Sequence, residues 1–123
     1  MQALVIDDSR AVRLLVGNIL REQGFDVVAA GNGKEGLEKL HENPEIRLVL
    51  VDWNMPVMDG LEFILAVRKV RAWDDVRLVM VTTETESEQV QRAIDAGADE
   101  YVMKPFTADV LVAKLSLLGA FEE

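Results

Sequence analysis

Leu48-Val49-Leu50-Val51 is an unbroken apolar run that ends on a carboxylate, Asp52. A strand with one wet face alternates apolar and polar residues, whereas a run that is apolar at every position suits a strand covered on both faces, as in a parallel sheet. Leu78-Val79-Met80-Val81 repeats the pattern and ends on a hydroxyl, Thr82. Outward from these two runs lie three further β-rich segments, at residues 3–6, 25–30 and 100–103.

Helical spacing fills the intervals. Val12, Leu15, Val16 and Ile19 recur at i, i+3, i+4 and i+7, with Asp8 or Ser9 as N-cap and Gly24 as the stop. A second helix, from Lys34 to about His41, rests on Leu37 and Leu40 before Asn43-Pro44 breaks it. Leu61, Ile64 and Leu65 mark a third after Asp59-Gly60, and Val90, Ala93 and Ile94 a fourth that ends at Gly97. The fifth runs from Thr107 through Leu111, Leu115 and Leu118. Five strand-helix units in strict alternation predict a doubly wound α/β domain, because a parallel return needs a right-handed crossover that places helices on both faces.

Composition narrows the function. With 123 residues, half of them apolar, and no repeat or linker-like stretch, residues 1–123 are expected to form one domain. A formal net charge of −9 disfavours nucleic acid and anionic membranes as partners. The absence of Cys excludes disulfides and thiolate metal sites, and a single histidine, His41, excludes a His-rich one. The apolar segment at residues 3–6 is too short for a signal-peptide core, and no span reaches membrane length, so a cytoplasmic location is expected.

In doubly wound sheets the reactive groups gather beyond the carboxyl ends of the strands. Asp7 and Asp8 follow the first strand, Asp52 closes the third, Thr82 closes the fourth and Lys104 lies just past the fifth. Taken singly, each has a plain structural role: a helix cap, a β-former, a solvated lysine. Together they converge on one edge. Three carboxylates in proximity repel unless a cation lies among them, and an all-oxygen donor set suits Mg²⁺. With that ion and Lys104 to spread developing negative charge, Asp52 is the natural nucleophile for phosphoryl transfer.

The run Asp52-Trp53-Asn54-Met55-Pro56 with Met58-Asp59-Gly60 resembles the phosphoacceptor region of response-regulator receiver domains. Asp7-Asp8, Met80-Val81-Thr82 and Lys104-Pro105-Phe106 match the family's other motifs in order, and the resemblance is nearest to its single-domain chemotaxis members. It implies a flavodoxin-like (βα)5 sheet of order 2-1-3-4-5. It further implies Asp52 as phosphoacceptor, Mg²⁺ held directly by Asp8, chiefly through water by Asp7, and by Asp52 and the Asn54 backbone carbonyl, and a cis peptide between Lys104 and Pro105. Thr82 and Tyr101 would form the switch, and Asn54 and Glu84 would tune the lifetime of the phosphorylated state. The implied partners are a sensor histidine kinase and a protein that reads the surface of the fourth helix, fifth strand and fifth helix, with the chain a monomer or weak dimer. The module would not be an enzyme in its own right.

Some features pull elsewhere. Thr83 stands where the family usually has Ala or Gly, and Glu84, Glu86 and Glu88 make the fourth-helix face acidic where chemotaxis members often carry Lys. A haloacid-dehalogenase-type phosphohydrolase also uses an Asp nucleophile with Mg²⁺, Thr and Lys, but places it in an Asp-x-Asp motif after the first strand, where this chain has Asp7-Asp8-Ser9. A receiver portion of a larger regulator is a further alternative. Gly31-Asn32-Gly33-Lys34-Glu35-Gly36 has the spacing of a dinucleotide-binding loop, yet would follow an edge strand, where no crevice faces it.

Overall fold

In the computed structural model, which describes residues 1–83 and 87–120, five parallel strands form one sheet in the order β2-β1-β3-β4-β5. The strands are β1 (Gln2–Ile6), β2 (Asp26–Ala30), β3 (Ile46–Asp52), β4 (Arg77–Thr82) and β5 (Glu100–Met103). The helices between and after them are α1 (Arg10–Glu22), α2 (Gly33–Glu42), α3 (Gly60–Arg68), α4 (Ser87–Ala96) and α5 (Ala108–Leu117). The expected doubly wound flavodoxin-like fold is observed, and a 3-10 turn at Arg71–Trp73 is added before β4.

The two apolar runs lie at the centre of the sheet, where alternate residues serve opposite faces. Val49, Val51, Leu78 and Met80 join Leu4 and Ile6 under Leu40, Phe63, Ile64, Val67 and Ala93, the buried residues of α2, α3 and α4. Leu48, Leu50, Val79 and Val81 join Ala3, Val5 and Val102 under Val16, Ile19, Leu20, Leu111 and Leu115 of α1 and α5. A strand buried on both sides has no position for a polar residue, which is why the run continues until the chain leaves the sheet.

Three of the apolar residues that mark the helices in sequence are exposed: Leu15 at 55%, Leu65 at 45% and Ile94 at 39%. At 100° per residue, Leu20 rather than Leu15 completes the stripe of Val16 and Ile19, and Phe63 and Val67 complete that of Ile64. Helix starts follow the expected chemistry. Ser9 caps α1, Asn32 caps α2, Thr107 caps α5, and Asp59 caps α3 in a reciprocal box with Glu62. Gly24 and Gly97 leave α1 and α4 at φ 95° and 120°, in the left-handed region.

One side chain ties together the amino ends of β4 and β5. Arg68 donates to the carbonyls of Gly97 (3.0 Å), Trp73 (3.1 Å) and Val76 (2.9 Å) and to Asp99 Oδ2 (3.0 Å). Asp99 Oδ2 in turn accepts the Leu78 N–H at 2.8 Å. No helix among the described residues is long and apolar enough to cross a membrane.

Candidate functional site

At the opposite, carboxyl edge, the chain leaving β1 is held at every polar atom of Asp7. Its N–H donates to the Ala30 carbonyl (3.1 Å) and its carbonyl accepts from Arg13 Nη1 (2.7 Å). Its Oδ1 accepts the Ser9 N–H (2.9 Å) and its Oδ2 accepts from Lys104 Nζ (2.9 Å). Asp7 is buried and Asp8 exposed. Asp52 closes β3 beside Val81 of β4, and Lys104 Nζ lies 3.5 Å from its Oδ1. Carboxylate oxygens of Asp7, Asp8 and Asp52 all lie within 4.8 Å of one another.

Charge at this edge is unbalanced, since one ammonium faces three carboxylates. Burial, reinforced by the Asp7 charge and more weakly by that of Asp8, raises the Asp52 pKa above its ordinary 3.8, with Lys104 opposing the rise. Burial of Lys104 works against its own charge, but the hydrogen bond to Asp7 and the charges of Asp52 and Asp7 outweigh that and hold its pKa above 10.5. The group of three carboxylates retains an unmet demand for positive charge. Its donors are all hard oxygens, and the two buried acids leave Asp8 as the exposed member, a set that fits a divalent cation such as Mg²⁺.

The loop after β3 is shaped by close backbone approach. The Gly60 N–H donates to the Trp53 carbonyl (3.0 Å), and a Cβ at Gly60 would collide with the Asp52 carbonyl oxygen. Between them, Met58 N–H closes a γ-turn onto the Pro56 carbonyl (2.7 Å) with Val57 at φ 69°. The Met58 carbonyl then accepts the Gly33 N–H at 3.1 Å.

That last bond accounts for the glycine-rich segment. Glu35 N–H donates to Asn32 Oδ1, Gly36 N–H to the Asn32 carbonyl and Gly31 N–H to Glu35 Oε2. The amides of Gly31, Gly33, Glu35 and Gly36 thus already have partners. Added Cβ atoms at Gly33 and Gly36 would meet Met58, Ile6 and Phe63, so these glycines serve packing beside edge strand β2.

The remaining positions are placed as follows. Thr82 is buried at the end of β4, and its carbonyl accepts the Lys104 N–H at 2.8 Å. The Lys104–Pro105 peptide is cis. Asn54 is exposed in the loop after Asp52, Thr83 is exposed after β4, and Glu84 lies outside the described residues. Tyr101 sits on β5, partly buried against the α2-α3-α4 side of the core. Arg13 and Lys114 were not singled out from sequence, because neither belongs to a motif and only their reach brings them to Asp7 and Tyr101. A shallow apolar depression of about 240 Å³, lined by Val12, Leu15, Lys104, Pro105 and Phe106, adjoins the site. A depression of about 620 Å³ with a mixed polar and apolar lining lies at the other end of the sheet, among Gln2, Glu45, Arg47 and Arg77, and none of Asp7, Asp8 and Asp52 lines it.

Comparison with known proteins agrees with this architecture. The chain is 40% identical over 116 residues to a chemotaxis protein CheY homolog of Campylobacter jejuni, an alignment covering 94% of this chain and 89% of the relative. Among solved structures it is similar to the chemotaxis response regulator CheY4 of Vibrio cholerae, with TM-score 0.89 and 34% identity over 95% of this chain and 97% of that one. It also matches a two-component response regulator/GGDEF domain protein at TM-score 0.91 and 31% identity, covering all of this chain but 51% of the other. Residues 3–116 match the family model described as the response regulator receiver domain, and the chain belongs to that family.

Proposed function

We propose that this receiver domain is a phosphoacceptor: a sensor histidine kinase passes a phosphoryl group to Asp52, and the change is read by a protein partner on the α4-β5-α5 surface. The supporting observation is the meeting at one sheet edge of Asp52 with Lys104, at 3.5 Å, and with the Asp7 and Asp8 carboxylates. In-line transfer forms a P–O bond to an Asp52 oxygen and breaks the P–N bond of phosphohistidine, leaving the electron pair on the imidazole nitrogen, which takes a proton. Lys104 faces the incoming phosphoryl oxygens, and Asp7, pinned at four atoms, holds that lysine in place. Asp7, Asp8, Asp52 and the Asn54 carbonyl would hold Mg²⁺, which when bound supplies positive charge against the phosphoryl oxygens.

Thr82 is the group that would turn to the new phosphoryl oxygens, with Tyr101 following inward, and Asn54 and Glu84 would set how quickly water removes the phosphoryl group. The chemotaxis proteins among the relatives support a chemotactic output; the reading further takes the module as a cytoplasmic monomer or weak dimer, with residues 1–123 acting as one domain. A second reading, a receiver portion of a longer regulator, is favoured by the solved response regulator of which this chain matches only 51%.

Asp52→Asn removes the nucleophilic oxygen, so labelling by a phosphorylated kinase or by acetyl phosphate should vanish while the fold is kept. Labelling of the variant at the wild-type level would move the acceptor elsewhere. Stoichiometric labelling of the wild type, without turnover of p-nitrophenyl phosphate, would separate the phosphoacceptor from a phosphohydrolase.

A further inference from the structure

Tyr101 is the chain's only tyrosine, and a single lysine holds it three ways. Lys114 reaches from α5 around edge strand β5 to donate to the Tyr101 carbonyl at 2.7 Å, and its Nζ lies 4.3 Å from the centre of the Tyr101 ring. The same ammonium lies 3.6 Å from Glu100 Oε1, which also accepts the Tyr101 N–H at 2.9 Å. The backbone and ring of this one residue are therefore both referred to one cation on a neighbouring element.

We propose that Lys114 is a positioning residue for the switch: it clamps the Tyr101 ring in its present, partly buried place and so sets how much of the population has the ring turned inward. This rests on Tyr101 as the switch aromatic. An ammonium over a ring face is attractive only while the ring stays beneath it, so an inward turn of Tyr101 forfeits that contact while the bond to the carbonyl can persist. Lys114 thus favours one ring position over the other, which is the condition for a residue to shift a two-state equilibrium. Glu100 keeps the ammonium on the β5 side and limits its drift into solvent.

The single tyrosine makes the test direct. Wild-type, Lys114→Met and Lys114→Arg proteins carrying 3-fluorotyrosine each give one ¹⁹F resonance from Tyr101, followed while beryllofluoride is titrated with Mg²⁺ present. In Lys114→Met the starting resonance should lie displaced toward its beryllofluoride-saturated position, and half-saturation should need about two- to five-fold less beryllofluoride, the range set by a partly exposed cation–π contact. Lys114→Arg, which keeps a cation over the ring, should stay near wild type. A role limited to bracing β5 would lower the melting temperature of Lys114→Met and leave its resonance and titration on the wild-type curve, and that result would overturn the clamp. A wild-type resonance that does not move at saturation would instead remove Tyr101 from the switch, and the clamp with it.

Discussion

The two ends of the sheet pair their charges in opposite ways. At the amino end one cation, Arg68, meets three carbonyls and a carboxylate that also takes a backbone N–H, so every partner of the guanidinium is an acceptor it satisfies. At the carboxyl end one cation, Lys104, meets two of three carboxylates, and Asp52 is left with a raised pKa by its burial and by its neighbours. The first arrangement is complete without a ligand. The second leaves its carboxylates with fewer cations than charges, an arrangement that could take up a divalent ion.

The contrast can be broken most severely at the amino end. Arg68→Ala would remove the donor from the carbonyls of Trp73, Val76 and Gly97 and leave Asp99 only its backbone partner, at an expected loss of about 3 kcal/mol, or roughly 10 °C in the melting midpoint of a domain this size. Its response to Mg²⁺ should equal that of the wild type, since the clasp does not touch the acidic group. Thermal melts with and without the ion check both statements together.

A slightly smaller effect of opposite sign is expected at the carboxyl end. Mg²⁺ at about 100 times its dissociation constant should stabilise the folded state by roughly 2.7 kcal/mol if it binds only that state. Asp8→Asn should weaken this rise, because it removes the exposed carboxylate of the three. A wild-type melting temperature indifferent to millimolar Mg²⁺ at constant ionic strength would show that the carboxyl end is as complete as the amino end.

The smallest effect sharpens the comparison through pH. The Asp52 pKa is higher in the folded protein than its ordinary 3.8, so the native state binds that proton more tightly and the ionised group subtracts from stability. The penalty is absent below 3.8, grows as pH rises through the raised folded value and is complete above it. In chelator, Asp52→Asn should therefore melt above wild type at pH 7, and the gap should close as pH falls toward 3. Equal melting points at pH 7 would mean that Lys104 already neutralises the site.

Much of this was legible in the sequence, for a physical reason. A doubly covered strand admits no polar residue, so the first polar residue after each central run marks the sheet edge, and Asp52 and Thr82 are read directly from that rule. Asp7 and Lys104 follow from topology, because parallel strands bring all their carboxyl ends to one side. Periodicity defines a stripe only to within about a residue, so Leu15 shares the spacing of the first helix although Leu20 is the buried member. The 3-10 turn at Arg71–Trp73 is too short to leave a periodic signal. Arg13 and Lys114 were invisible for another reason: long flexible side chains choose their partners in three dimensions, and no spacing along the chain encodes that a lysine on the last helix turns back over the strand before it.

The same lysine closes a route to sheet growth. As the last strand in the order, β5 has no neighbour beyond it, and an open strand edge is a template on which another chain can add. At Tyr101 both main-chain groups are already engaged, the N–H by the Glu100 carboxylate and the carbonyl by Lys114. An incoming strand would have to displace two charged side chains to gain that pair of bonds. Extension of the sheet from one molecule to the next at this strand is thereby disfavoured.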